Sequence, residues 1–279
     1  MSRFILRIAA VVCLLVFLSG KCSANFWRPA VVSTLPPNSN DPYYQKFQTV
    51  PPASQTATKL LTNFLRIPGK LSHVRRKRQI SSYEDIVVVL DGSGSIGSCE
   101  FGKGKKALKH MMKLAKENPT VDTKYAAVSY SSSAVVDFQF LPYTLAANRI
   151  MQVRYVGMST NTQDGLAKAK GLFLDPSSGR RVFSRRMVFL VTDGQSDSRD
   201  RTIREAQALK GNGVDIYVVA VGSYIYGIDE MVKVASSPPE NHMFRVTKLE
   251  GFWQVVKLVI QMLNPREYSV VSGQYDPPC

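Results

Sequence analysis

The sequence predicts a three-layer, doubly wound α/β fold: a mainly parallel sheet with one antiparallel edge strand and helices on both faces. Three observations carry this reading. Residues 86–90, 187–191 and 216–221 are continuous apolar runs rich in Val and Ile, the pattern of strands buried on both faces. Helix-like segments separate them. Strand and helix alternate over residues 84–263, which implies crossovers between parallel neighbours.

Each element has its own signal. After 86–90, residues 100–117 place Phe101, Ala107, Leu108, Met111, Met112 and Leu114 mostly on one side and Lys105, Lys109, Lys113 and Lys116 on the other. Residues 125–130 and 134–140 read as a strand pair joined by a Ser-rich turn, the source of the antiparallel edge. Residues 146–153 and 162–173 read as helices. The run 187–191 is followed by a helix over 203–212, closed by Gly213. Strand 216–221, helix 228–235, short strand 243–246 and amphipathic helix 249–263 complete the domain.

The chain has 279 residues and a formal net charge of +15. At ~150 residues per domain this is one large domain or two small ones. Residues 1–78 hold 12 basic side chains and one acid, Asp41, whereas residues 79–279 hold 24 basic and 20 acidic side chains. The basicity is therefore N-terminal. Residues 1–24 read as a secretory signal peptide: Arg3 and Arg7, an apolar run over 8–18, then the small-residue site Cys22-Ser23-Ala24. The apolar run is shorter than the ~20 residues that a membrane-spanning helix needs. Residues 25–78 read as a Pro-rich propeptide that buries too little apolar surface to be ordered, with only 59–67 able to form a short helix. It ends in Arg75-Arg76-Lys77-Arg78, which resembles the recognition site of furin-type convertases. The mature protein is then expected to start at Gln79, with the domain over 79–263 and a C-terminal tail over 264–279.

In doubly wound sheets, ligands bind outside the carboxyl ends of the strands. Asp91-Gly92-Ser93-Gly94-Ser95 follows the first buried strand and Thr192-Asp193-Gly194-Gln195-Ser196 the second. Gly157-Met158-Ser159-Thr160-Asn161-Thr162 lies between them, opening a helix. The three loops offer two carboxylates and several hydroxyls without nitrogen or sulfur. That donor set suits a hard divalent cation, Mg²⁺ foremost, with Mn²⁺ or Ca²⁺ as substitutes.

At this point the chain resembles the von Willebrand factor type A domain over about residues 84–263. D-x-S-x-S at Asp91, Ser93 and Ser95, T-x-T at Thr160 and Thr162, and T-D-G at Asp193 match the family's metal-ion-dependent adhesion site in order and spacing. Asp91 and Thr160 are 69 residues apart, Thr160 and Asp193 33 apart. The wording D-G-S-G-S-I-G and T-D-G-Q-S is closest to modules of matrilins and collagen-associated matrix proteins. The resemblance implies that Ser93, Ser95 and Thr160 coordinate the metal directly or through one water, and that Asp91 and Asp193 supply charge. One coordination position then stays open for an acidic side chain of an extracellular protein partner, collagen or another matrix protein. Thr162 and Asp164 read instead as helix-start residues.

Other readings are weaker. Residues 92–97 also fit G-x-G-x-x-G, but Asp91 would repel a pyrophosphate and no acid ends the next strand to take a ribose. No His is placed to activate Ser93 or Ser95, and the G-x-S-x-G frame is absent, so an enzyme is not expected. Arg180, Arg181, Arg185 and Arg186 form a candidate polyanion patch for glycosaminoglycans, expected at the pole opposite the metal. The rival to metal-dependent adhesion is accordingly a structural matrix or glycosaminoglycan-binding protein. Nucleic acid is not expected, nor is a membrane span. Cys99 and Cys279 remain once the signal peptide is removed. A bridge within one chain is within reach of the tail and is preferred, with a bridge between chains as its rival. The combined expectation is a secreted extracellular matrix protein.

Overall fold

Side chains of Ser82–Asp91 alternate between two apolar cores: Ile86, Val88 and Leu90 face one, Val87 and Val89 the other. That alternation is the period-two geometry of a strand covered on both sides. The computed structural model describes residues 41–67, 80 and 82–279. Six strands, Ser82–Asp91 (β1), Val121–Tyr130 (β2), Ala134–Pro142 (β3), Arg185–Thr192 (β4), Val214–Val221 (β5) and Met243–Val246 (β6), form one sheet in the order β3-β2-β1-β4-β5-β6. All neighbours run parallel except β2 and β3, which pair antiparallel with a register shift at Ala127. The doubly wound fold, with its single antiparallel edge, matches the expectation. The chain builds outward from β1 to β2 and β3, then returns to β4 on the other side of β1. The C-terminal ends of β1 and β4 therefore flank the point where strand order reverses.

Among the described residues the α-helices are Pro42–Gln45 (α1), Ala53–Lys59 (α2), Ser98–Lys113 (α3), Tyr143–Arg149 (α4), Thr162–Leu174 (α5), Arg199–Gly211 (α6), Ile228–Val234 (α7), Pro239–His242 (α8), Leu249–Leu263 (α9) and Pro265–Ser272 (α10). α9 shows why such segments are helical: Leu249, Phe252, Trp253, Val256, Val259 and Ile260 recur at helical spacing and are all buried. α10 was expected as tail. Its signal was present, because Asn264 caps the helix through its side chain to Glu267 N and Pro265 occupies the first turn.

The larger correction concerns the order of residues 41–67, within the expected propeptide 25–78. Residues 41–67 are folded against the domain. α2 continues into a π-helical turn, Leu60–Leu65, and Ala57, Leu60, Leu61, Phe64 and Leu65 enter the core. The spacing of those five is helical, and three of the prolines that suggest disorder, Pro42, Pro51 and Pro52, sit at helix borders. Pro42 is in the first turn of α1, and Pro51 and Pro52 precede α2. Residues 1–24, with the signal-peptide motif, and Arg75, Arg76, Lys77 and Arg78 lie outside the described residues.

Candidate metal centre

The two strand-end loops and the helix-opening loop between them converge at the carboxyl pole of the sheet. Asp91 closes β1, and no part of it is exposed. Its Oδ1 accepts from Ser93 N at 2.9 Å, and its Oδ2 accepts from Tyr130 Oη at 3.0 Å and Thr192 Oγ1 at 2.8 Å. The first and second loops are locked by backbone: Gly94 N donates to Met158 O at 2.8 Å, and Gly157 N to Gly92 O at 2.8 Å. This approach excludes larger residues. A Cβ on Gly94 would stand 3.2 Å from Gly157 O, and Gly157 itself has φ +78°.

Ser93 Oγ and Ser95 Oγ are 3.1 Å apart, and Ser95 Oγ donates to Asp193 Oδ1 at 3.1 Å. Three predicted ligands thus stand in a row. Thr160 is positioned through its backbone: its N donates to Asp197 Oδ1 at 3.1 Å, and its O accepts from Asp197 N at 2.9 Å. Thr162 and Asp164 behave as helix-start residues. Thr162 Oγ1 donates to Tyr130 Oη at 3.3 Å, while Asp164 Oδ2 accepts from Ala134 N at 2.7 Å.

The electrostatics favour a cation. Burial raises the Asp91 carboxyl above its ordinary range, against the hydrogen bonds that it accepts. Burial, followed by the charge of Asp91, pushes Asp193 up to about 6. Among the described residues no ion pair reaches either carboxylate. Nor is any cluster of three or more His, Cys, Asp or Glu gathered among them, so a metal here must use hydroxyls. The oxygens fit one: adjacent ligands of an octahedron with ~2.0–2.1 Å bonds stand ~2.9 Å apart, close to the observed spacing.

Sequence reasoning missed Tyr130, Thr192 and Asp197. Tyr130 and Thr192 end β2 and β4, so the strand-end rule that found the loops also pointed to them. The third loop is further tied down by Ser196, whose Oγ donates to Glu230 Oε1 at 2.5 Å and accepts from Thr202 Oγ1 at 2.8 Å.

The arginine cluster lies at the opposite pole, since Arg185 is in register with Glu84 at the start of β1. It is not a free patch of four. Arg181 donates to Asp85 from Nε at 2.9 Å and Nη2 at 2.7 Å, and to Asp122 from Nη1 at 2.8 Å. Arg185 pairs with Asp215 and Glu84. Two of the four are spent on internal pairing, which leaves Arg180 and Arg186 partly exposed. Cys99 and Cys279 are bonded within the chain, with Cα atoms 5.7 Å apart. The bridge draws Asp276 to Lys103 at 2.8 Å and Lys106 at 3.2 Å.

Comparison with known proteins accords with this geometry. The family model of the von Willebrand factor type A domain matches residues 85–258. The human collagen alpha-1(VI) chain is 28% identical over 193 residues, covering 61% of this chain and 18% of the collagen chain. Human matrilin-3 is 29% identical over 168 residues, covering 58% of this chain and 34% of matrilin-3. The chain thus matches only a minor part of either relative's length. Among solved structures, proximal thread matrix protein 1 from the mussel byssus superposes with a TM-score of 0.57 at 19% identity, over 67% of this chain and 49% of that one. A form of that protein is described with zinc in its MIDAS motif (TM-score 0.55, 19% identity, over 67% of this chain and 49% of that one). Fold, loop geometry and sequence match agree that the chain belongs to the von Willebrand factor type A domain family.

Proposed function

We propose that the domain is a secreted adhesion module that binds an acidic side chain of an extracellular protein partner through a divalent cation. The observation that carries this reading is the row Ser93 Oγ, Ser95 Oγ, Asp193 Oδ1 at 3.1 Å spacings, beside the fully buried Asp91, with no cationic side chain paired to either carboxylate among the described residues. Ser93, Ser95, Thr160, Asp91 and Asp193 would hold Mg²⁺, or Mn²⁺ or Ca²⁺ in its place. The bound ion supplies positive charge that its neutral hydroxyl ligands leave only partly compensated, which favours a partner carboxylate at a partly desolvated interface. Asp91 stays fixed by Tyr130 and Thr192, so the loop is preorganised before any partner arrives.

The surroundings support a protein partner. Val135, Val156 and Met158 are exposed, and they line a cavity of ≈280 Å³ beside the first loop with Arg154. Relatives named as collagen and matrilin chains favour an extracellular, non-enzymatic role, and collagen or another matrix protein fits as partner. No helix among the described residues is long and apolar enough to cross a membrane. Secretion would remove residues 1–24, and a convertase would cut after Arg78. Pull-down of extracellular matrix proteins in Mg²⁺, in EDTA and with Asp193→Ala tests the adhesion reading. Binding that persists through both treatments overturns it.

A further inference from the structure

Residues 41–67 wrap the β6 edge of the sheet and enter both cores. Tyr44 and Phe47 join one side, and Ala57, Leu60, Leu61, Phe64, Leu65 and Ile67 the other. Leu60 is 0% and Phe64 1% exposed, and the Phe64 ring lies 4.5 Å from that of Phe189 and 5.1 Å from that of Tyr217. The polar groups are equally committed. Arg245, buried on β6, donates to Phe47 O at 2.9 Å and Gln48 O at 3.2 Å, as well as to Ala220 O and Gly222 O. Lys59 Nζ donates to Met243 O at 2.5 Å, and Tyr217 Oη to Asn63 O at 3.0 Å. Gln48 and Ile225 exchange two hydrogen bonds, at 2.8 and 3.0 Å.

A segment bound in this way does not leave when a peptide bond downstream of it is cut. Removing it would take the Phe64 ring from Phe189 and Tyr217 and Lys59 from Phe244, leave Arg245 with half of its carbonyl partners, and open a strand edge to other chains. We propose that residues 41–67 stay in the mature protein as a second, non-covalently held chain, so that convertase cleavage after Arg78 nicks the molecule instead of shedding a propeptide. The nicking depends on the processing reading above. The retention depends only on the packing.

The experiment separates the two. In the full protein, 75–78 are replaced by the recognition sequence of an unrelated site-specific protease. The protein is cut to completion, diluted to micromolar concentration and passed through size exclusion, and the peak is examined by native and denaturing mass spectrometry. The expected result is one peak with the mass of the uncut protein, resolved into two pieces only under denaturant. Phe64→Ala, checked as folded before cutting, should speed loss of the upstream piece by on the order of 100-fold. A folded 79–279 piece eluting without its upstream partner overturns the proposal, as does a Phe64→Ala variant that holds the piece as firmly as the parent. Separately, absence of an N-terminus at Gln79 in the native secreted protein sinks the processing reading, and the inserted site still decides retention.

Discussion

The two poles of the sheet treat buried acid in opposite ways. At the amino pole, Asp85 is fully buried, yet it accepts two bonds from the Arg181 guanidinium, one from Arg181 N and one from Ser184 Oγ. Glu84, Asp122 and Asp215 are paired with Arg181 or Arg185. At the carboxyl pole, Asp91 is just as buried and meets only hydroxyls and a backbone amide, while Asp193 nearby is pushed up to about 6. A buried carboxylate closed by arginine is architecture. One left with neutral donors beside a second carboxylate is the arrangement that the proposed cation would satisfy. The comparison also bears on the arginine cluster: two of its four members, Arg181 and Arg185, are committed to acids of their own chain.

The largest effect should come from breaking the closed pole. Arg181→Met leaves Asp85 buried without its cation and should cost about 3–5 kcal/mol, read as a lower midpoint in urea unfolding. Reducing the bond that ties the start of α3 to the C-terminus comes next. Cys99→Ser should lower stability by about 2–4 kcal/mol in chemical denaturation and free the tail that brings Asp276 to Lys103 and Lys106. The open pole should respond to metal where the closed pole does not. At a Mg²⁺ concentration 100 times Kd, the wild type should gain about 2.7 kcal/mol, whereas Asp193→Asn should gain none while folding as well without metal. Equal Mg²⁺ responses in the two proteins would erase the distinction between the poles.

The smallest effect concerns pH. His110 packs its ring 4.9 Å from Trp253, and burial first, then Lys113, Lys109 and Lys106, holds its pKa near 4, below the usual 6.5. The unfolded chain accepts a proton that the folded one refuses. The contribution of His110 is therefore intact above pH 6.5 and is lost as pH falls from 6.5 towards 4. Solvent screening limits it to about 1–2 kcal/mol. His110→Leu should flatten the stability profile across that window in thermal melts, and an unchanged slope would contradict the assignment.

What the sequence determined by itself was whatever depends on local pattern. Unbroken apolar runs marked β1, β4 and β5, and because ligands gather past strand ends, the first two also led to Asp91, Ser93, Ser95 and Asp193, whereas Thr160 came from the T-x-T of the family resemblance. Which groups meet across distance depended on the folded arrangement. Arg181 reaches Asp85, 96 residues away in sequence, and Tyr130 reaches Asp91 across 39, and neither pairing leaves a mark on the composition. The same holds for residues 41–67. Proline count and polar content argued for disorder, since local composition cannot register a groove on the far side of the fold. The apolar face of α2 and the turn after it becomes favourable only where β5, β6 and α9 already stand to receive it.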